Sequence, residues 1–278
     1  MFIFPELGRA GRLGNQMFQL AALKALALKN KSQAYLPEDL YSRTHDGQRC
    51  LLYNFKHAIP FIDPSEYSHL ELFREADNHL TLLDCRFFDI SGSMAIYGYF
   101  ESELFFKEYK EYIISMYSFV DSVDTIARDY IESIKQSYPN KEIVGIHFRR
   151  GDYRETHETP GVFLQYIYYA RNLEFNDDKY IFLLFTGGNQ QKGNSNESDM
   201  NWCKQHIPNS LFCEVNDTIK DLAIMTKCDH MILTTKSTLG WWGAYLNKNP
   251  SKKIVVPGIS IGPAFTPDLF WPNEFIKI

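Results

Sequence analysis

The sequence has no pair of closely spaced cysteines and no large excess of charge of either sign. Its five cysteines are odd in number and include no C-x-x-C spacing, so neither a disulfide framework nor a structural zinc site is indicated, and a reducing compartment fits best. The 29 basic residues against 34 acidic ones give a net charge of −5, which argues against a protein that coats nucleic acid. Because the chain as a whole is negatively charged, an anion would have to bind at a local cluster of basic residues.

Long hydrophobic runs are missing as well. Residues 1–7 lack the basic region and the apolar stretch of a signal peptide. The Leu/Ala-rich segment 20–28 is interrupted by Lys24 and is too short to span a bilayer. We expect a cytoplasmic protein without stable membrane insertion.

Three motifs that commonly mark nucleotide or metal sites do not occur. There is no G-x-x-x-x-G-K-[ST], and the glycine-rich segment 11–16 does not meet the G-x-G-x-x-G spacing, which disfavours a nicotinamide oxidoreductase. There is also no Asp-x-Asp, the pattern that holds a diphosphate through a divalent ion. A bound diphosphate would then have to be neutralised by arginines and helix ends, without a metal.

The second half of the chain alternates short apolar runs with amphipathic stretches, as parallel strands with crossover helices require. The predicted strands are 142–148, 180–185, 211–214, 230–233 and 253–256, and the predicted helices are 161–173, 199–205, 217–227 and 238–247. This order predicts a Rossmann-like α/β domain.

The first half begins in the same way, with a strand over 2–4, a glycine-rich turn and a helix from about 15 to 30. Further helices are predicted over 101–119 and 123–137, and Tyr138-Pro139-Asn140 is interpreted as a hinge. We therefore expect an α/β protein with an N-terminal domain over 1–138, a C-terminal domain over 139–278, and a ligand cleft between them.

Two adjacent arginines, Arg149 and Arg150, follow the strongest predicted strand. The planar guanidinium group matches phosphate oxygens, so this pair suits a diphosphate. The alternative is a surface pair that bridges Asp152 and Glu155.

Two strand-to-helix turns are candidate anion sites. Segment 11–16 precedes the first helix, and segment 234–244 (TTKSTLGWWGA) places hydroxyls at a predicted helix N-terminus. Each turn alone is also compatible with a purely structural role, in which the tryptophans are core.

Together, GRLGNQMFQLA (11–21), HFRRGDY (147–153) and DLAIMTKCDHMILTTKSTLGWWGAYL (221–246) resemble the α-1,2-fucosyltransferases of glycosyltransferase family 11. The resemblance implies a GT-B-type fold of two Rossmann-like domains facing a cleft. It also implies a glycosyltransferase with GDP-fucose as donor, inversion at the fucose anomeric carbon, and no obligatory metal or other cofactor. The implied partners are GDP-fucose and an acceptor glycan, with α-1,2 transfer to galactose.

The resemblance also implies which residues bind the donor. They are Gly14, Asn15, His147, Arg149, Arg150, Asp221, Ser237 and Thr238. Arg149 and Arg150 match arginines that hold the diphosphate, His147 matches a histidine near the ribose, and Ser237 and Thr238 match β-phosphate contacts. The two N-terminal residues match a loop that closes over phosphate and fucose.

Asp221 matches a carboxylate that pairs with guanine N1 and N2 in related α-1,6-fucosyltransferases. A carboxylate accepts two parallel hydrogen bonds from guanine and rejects adenine, which lacks that donor pair. The alternative is an aspartate in the first turn of a helix that interacts with the helix dipole.

This chain departs from the family pattern at three places. Phe185-Thr186-Gly187-Gly188-Asn189 stands where Phe-Ser-Asp-Asp is common, so no acidic residue is carried over from that motif. Leu239-Gly240 stands where Phe-Ser is usual, and Phe148 where Ile or Val is usual. These departures bear on the acceptor and on loop conformation.

The implied reaction is one displacement in which Arg149 and Arg150 stabilise the charge of the departing diphosphate. Asp152 is the candidate general base, with an arginine clamp as its alternative role. Two other functions stay open: a GT-B transferase for another acceptor or nucleotide sugar, and a nonenzymatic protein that binds GDP-sugar or glycan.

Overall fold

The computed structural model describes residues 1–76, 82–150, 160–187, 196–260 and 265–278. The strands, in chain order, are β1 (Phe2–Ile3), β2 (Ala34–Pro37), β3 (Thr44–His45), β4 (Gln48–Arg49), β5 (Phe61–Ile62), β6 (Leu72–Arg74), β7 (Met94–Tyr97), β8 (Glu142–Arg149), β9 (Tyr180–Gly187), β10 (Leu211–Phe212), β11 (His230–Leu233), β12 (Ile254–Val256) and β13 (Ile276–Lys277). The α-helices are α1 (Leu13–Lys29), α2 (Lys110–Met116), α3 (Asp121–Ser137), α4 (Pro160–Glu174), α5 (Asn196–His206), α6 (Thr218–Met225), α7 (Thr238–Tyr245) and α8 (Pro267–Phe270). The described part of the chain contains no helix long and apolar enough to cross a membrane.

The chain divides into two compact units. Unit 1 comprises Met1–Val120 and Asp268–Pro272, and unit 2 comprises Asp121–Pro267 and Asn273–Ile278. The division therefore falls before α3, and not at 138/139 as the sequence analysis expected.

Side-chain contacts explain why α3 belongs to unit 2. Lys227 Nζ donates to Asp124 Oδ1 at 2.7 Å, and Lys135 Nζ donates to Asp229 Oδ1 at 3.0 Å. The apolar face of α3 is buried. The predicted hinge is a turn in which Asn140 adopts φ +66°, but it lies inside unit 2.

Unit 1 contains a parallel five-stranded sheet in the order β5-β2-β1-β7-β6 and a separate β3–β4 hairpin. Helix α1 is buried along almost its whole length, and even Lys24 is buried, with its ammonium over the Tyr112 ring at 5.1 Å. A helix that is buried on all sides lies in the interior of a protein. The apolar run that was too short for a membrane is therefore the central helix of this unit.

The helix predicted over 101–119 was wrong in its first half. The structure has two 3₁₀ turns there, Glu103–Phe105 and Lys107–Tyr109, before α2 begins. Phe100 has a positive φ of +50°, and Ser102 Oγ accepts the Leu104 amide at 3.3 Å, so the chain turns tightly at this point. The spacing of apolar residues does not report such a backbone turn, so the two 3₁₀ turns could not be predicted from it.

Unit 2 contains a parallel six-stranded sheet in the order β10-β9-β8-β11-β12-β13. The five strands and four helices predicted for this half are confirmed, with shifts of a few residues at their ends. The edge strand β13 was missed because two residues show no periodicity. Strand β8 is central and buried on both faces, so its carboxyl end is fixed by the core.

Candidate functional site

The sequence motifs of unit 2 meet at one edge of its sheet. Strands β8, β9, β10 and β11 are parallel neighbours, so their carboxyl ends lie along the same edge, which we call the carboxyl edge. In the register of β8 and β11, His147 pairs with Leu233. Two residues later in the chain, Arg149 ends β8 and Thr235 lies just beyond β11. The carboxyl ends of strands are where open α/β sheets bind ligands.

The β11–α7 turn (residues 234–237) leads into the N-terminus of α7. Ser237 is the N-cap residue, but its side chain makes no capping hydrogen bond. Within the described part of the chain, the Oγ1 of Thr235 and the Oγ of Ser237 are buried without a hydrogen-bond partner. These residues are only 1% and 3% exposed. Two buried hydroxyls that lack partners beside a helix N-terminus are suited to an anion.

The start of α7 lies directly on His147. A Cβ atom at Gly240 would come within 2.6 Å of His147 Nδ1, so only glycine allows this approach. Thr234 Oγ1 also donates to the His147 carbonyl at 3.1 Å. The glycine that departs from the family pattern is thus the residue that lets α7 contact β8.

His147 is 7% exposed. Burial, with the nearby charge of Arg149, lowers the pKa of His147 to about 3. The imidazole is therefore neutral at physiological pH. Its expected place near a ribose stays a prediction.

The two arginines at the end of β8 have different surroundings. Arg149 is half-buried, whereas Arg150 is only 4% exposed. Arg150 Nε donates to Asp199 Oδ1 at 3.2 Å, and its guanidinium carbon lies 3.6 Å from the centre of the Trp202 ring. Arg150 is therefore an interior cation with a buried counter-charge.

Asp199 and Trp202 were missed by sequence reasoning. Both lie on α5, and Asp199 is separated from Arg150 by 49 residues, so no local pattern connects them. The sequence predicted a helix over 199–205 but indicated no role for either side chain. Asp199 supplies a carboxylate from further along the chain.

Asp221 lies in the first turn of α6 and is half-buried. The Cys213 thiol donates to its Oδ1 at 3.3 Å. Burial raises the pKa of Asp221 to about 7, although the hydrogen bond from Cys213 opposes that rise. Asp217 is the residue that caps α6, since its Oδ1 accepts the amides of Ile219 and Lys220 at 3.1 and 3.2 Å. Capping therefore does not explain Asp221.

Side chains from outside the glycine-rich turn of unit 1 (residues 8–12, the α1 turn) donate to backbone carbonyls of the turn and of the residues just before it. Gln16 Nε2 donates to the Gly11 carbonyl at 2.8 Å, and Gln19 Nε2 donates to the Ala10 carbonyl at 2.9 Å. Arg43 Nη1 donates to the Leu7 carbonyl at 2.9 Å and also to that of Pro5.

Gly14 and Asn15 lie inside the first turn of α1, which begins two residues earlier than predicted. Gly11 has φ +82°, and a Cβ there would lie 2.6 Å from Asn15 Cβ. Asn15 Nδ2 donates to Glu101 Oε1 at 2.8 Å. The donor-binding role of these two residues stays a prediction.

Asp152, the candidate base, lies outside the described residues, as do Glu155, Gly188 and Asn189. Among the residues that are described, no group of three or more His, Cys, Asp or Glu side chains is placed to hold a metal ion.

Comparison with known proteins identifies the family. The sequence profile of glycosyl transferase family 11 matches residues 6–264. The chain belongs to glycosyl transferase family 11. Among curated relatives, it is 27% identical over 260 residues to galactoside alpha-(1,2)-fucosyltransferase 1 of Alouatta belzebul, covering 88% of this chain and 64% of that protein. It is 29% identical over 253 residues to galactoside alpha-(1,2)-fucosyltransferase 2 of Gorilla gorilla gorilla, covering 85% and 67%.

The fold is shared with solved fucosyltransferases. A crystal structure of NodZ alpha-1,6-fucosyltransferase soaked with GDP-fucose matches with a TM-score of 0.50 at 13% identity, covering 88% of this chain and 92% of that one. The two units with parallel sheets are those of a GT-B-type fold, as the sequence resemblance implied. This family 11 chain spans about two thirds of the length of the curated relatives above.

Proposed function

We propose that this chain transfers fucose from GDP-fucose to a hydroxyl of an acceptor glycan, with inversion, and that the product is α-1,2-linked to galactose. The observation that carries the proposal is the β11–α7 turn, where the hydroxyls of Thr235 and Ser237 are buried at a helix N-terminus and have no hydrogen-bond partner among the residues that the structure describes. A phosphate oxygen supplies the acceptors that these hydroxyls need. Arg149 is the last residue of β8, the strand next to β11, and it supplies positive charge at the same carboxyl edge.

The proposed chemistry is a single displacement. The acceptor hydroxyl forms a bond to the fucose anomeric carbon while the bond from that carbon to the β-phosphate oxygen breaks. The electron pair leaves with GDP, so negative charge grows on the β-phosphate as the sugar becomes oxocarbenium-like. Arg149, Arg150 and the amides at the start of α7 would stabilise that charge more in the transition state than in the bound donor. Asp152 remains our candidate to take the proton of the acceptor hydroxyl.

Asp221 is proposed to recognise the guanine. Its position beyond β10 places it at the carboxyl edge, and Asp217 already caps the helix. An ionised Asp221 would accept hydrogen bonds from guanine N1–H and N2–H, and adenine offers no such pair.

We further propose that turnover needs no divalent ion, because the sequence lacks Asp-x-Asp and places arginines where the diphosphate would lie. A cytoplasmic location stays a prediction from the sequence.

The test is to incubate the purified protein with GDP-fucose and an array of galactose-terminated glycans, and to measure GDP release. We expect GDP release that depends on acceptor, an α-1,2 linkage in the product by NMR, and most of the turnover retained in EDTA. Complete loss in EDTA, restored by magnesium or manganese, would contradict the metal-free proposal.

The two alternative functions give different results in the same assay. A GDP-sugar-binding protein would bind GDP-fucose by calorimetry and release no GDP with any acceptor. A transferase for another donor would release nucleotide from a different sugar nucleotide and leave GDP-fucose intact.

A further inference from the structure

Helix α5 carries a charged side chain that is completely buried. Asp199 is 0% exposed, and its Oδ1 lies 3.2 Å from Arg150 Nε. An ionised carboxylate in a protein interior is expensive unless a counter-charge is held close to it. Asp199 and Arg150 therefore form an interior ion pair at the end of the central strand.

The Trp202 ring lies against the same guanidinium. It lies three residues after Asp199, so both side chains project from the same face of α5. The Arg150 guanidinium carbon lies 3.6 Å from the centre of the Trp202 ring. His206 stacks on that ring at 4.1 Å with an interplanar angle of 13°, and one ring face cannot hold both groups. Trp202 is thus held between an imidazole and a guanidinium.

Stability alone is a weak reason for this arrangement. A buried ion pair is often no more stabilising than apolar residues of similar volume. Arginine, in contrast, has about 2 kcal/mol of rotamer entropy to lose when it binds a ligand. Holding its edge with Asp199 and its face with Trp202 removes that loss before the ligand arrives.

We propose that Asp199 and Trp202 are positioning residues, which hold the Arg150 guanidinium in a fixed orientation at the carboxyl edge so that it can stabilise the leaving diphosphate. This inference rests on the proposed function of the chain. A guanidinium that is fixed in advance needs no reorganisation as charge develops on the phosphate.

The test compares three substitutions on one helix. Asp199→Asn removes the charge, Trp202→Leu removes the stacking surface, and Lys204→Ala, the control, removes an exposed ion pair with Glu214. For the first two we expect GDP affinity and the donor KM to worsen by about tenfold, the loss of one well-placed interaction. The acceptor KM and the control should stay at wild-type values, and Trp202→Phe should restore most of the affinity.

A double-substitution cycle separates positioning from simple destabilisation. In an Arg150→Lys background, Asp199→Asn and Trp202→Leu should cause little further loss of GDP affinity, because the group that they position is gone. If Asp199→Asn does not fold, the stacking variants decide the question. Folded variants with wild-type GDP affinity and kcat, or losses that add fully to that of Arg150→Lys, would overturn the proposal.

Measurements on the wild-type protein distinguish failure of the proposed function from failure of the positioning proposal. If it neither binds GDP nor transfers fucose, the proposed function fails and the positioning proposal fails with it. If it does both, and the folded α5 variants match it, only the positioning proposal fails.

Discussion

The α1 turn of unit 1 and the β11–α7 turn of unit 2 give similar sequence signals but differ in their hydrogen bonding. Both follow a buried parallel strand and lead into a helix. In unit 1, Gln16 and Gln19 donate to the Gly11 and Ala10 carbonyls of the turn, and Arg43 donates to the Leu7 carbonyl just before it. In unit 2, the hydroxyls of Thr235 and Ser237 are buried and have no partner among the described residues.

This difference supports our proposal that the β11–α7 turn binds the donor. A buried polar group without a partner costs about 1–3 kcal/mol, so a fold has little reason to keep two of them unless a ligand completes the hydrogen bonds. The carbonyls of Ala10 and Gly11 in the α1 turn are bound by protein side chains, whereas the hydroxyls of the β11–α7 turn have no partner among the described residues.

The largest expected effects come from one arginine substitution in each unit, which should lower activity in unit 2 and stability in unit 1. Arg149→Lys keeps the charge but loses the planar fork, so we expect kcat/KM to fall by about 10²-fold with little change in the melting temperature. Arg43→Lys cannot reach both backbone carbonyls and Asp39, so it should lower stability by about 1–3 kcal/mol with near-normal kcat/KM per folded molecule. Steady-state kinetics and thermal unfolding of both variants check this, and the opposite pattern would reverse our assignment of the two turns.

Ser237→Ala tests whether the Ser237 hydroxyl of the β11–α7 turn binds the donor or serves the fold. Losing a hydrogen bond to a charged phosphate costs about 1.5 kcal/mol or more, so GDP affinity by calorimetry should fall by about tenfold or more. The ligand-free protein should melt at the same temperature or higher, because the substitution removes a buried hydroxyl for which the described residues supply no partner. Thr226→Val is the matched control, since the Thr226 hydroxyl donates to the Ala223 carbonyl at 2.7 Å. A lower melting temperature for Ser237→Ala would mean that its hydroxyl serves the fold.

The raised pKa of Asp221 predicts that both the stability of the fold and the affinity for GDP depend on pH. Its folded pKa is raised to about 7 from an ordinary 3.8, so it stabilises the ligand-free fold fully below pH 4, and this contribution is lost as pH rises through 7. Guanine needs the ionised form, so GDP should bind more weakly at pH 6 than at pH 8.

Asp221→Asn isolates that effect. Relative to wild type, the variant should gain stability as pH rises from 4 to 8, and it should lose its preference for GDP over ADP. Equal affinity of the wild type for GDP and ADP would remove Asp221 from the base site.

Asn15→Ala carries the smallest expected effect. Because Asn15 already donates to Glu101 and its turn is closed, we expect GDP affinity to change by less than about twofold. A tenfold loss measured by calorimetry, with the fold intact by circular dichroism, would instead place Asn15 at the donor as the family resemblance implies.

The sequence predicted the elements of unit 2 well, because parallel strands buried on both faces are continuous apolar runs and their helices are amphipathic. It also predicted that Arg149, Arg150 and the 234–237 turn lie at strand ends, because each of them follows an apolar run that is read clearly as a strand. It failed for α3, whose membership in unit 2 shows only in contacts with distant residues, such as the ion pairs of Asp124 with Lys227 and of Lys135 with Asp229. It also could not connect Asp199 with Arg150, because contacts between distant segments leave no local periodicity.

The segment Asp268–Pro272 places a constraint on how the protein is made. It leaves unit 2, contributes the fully buried Phe270 and Trp271 to unit 1, and returns to form β13. Phe270 lies 6.5 Å from Phe18, and Ser102 Oγ donates to the Leu269 carbonyl at 2.5 Å. During synthesis, the N-terminal unit therefore emerges from the ribosome with part of its interior missing. Its interior can be completed only after residues 268–272 have been translated, and contacts between residues so far apart in the chain slow folding.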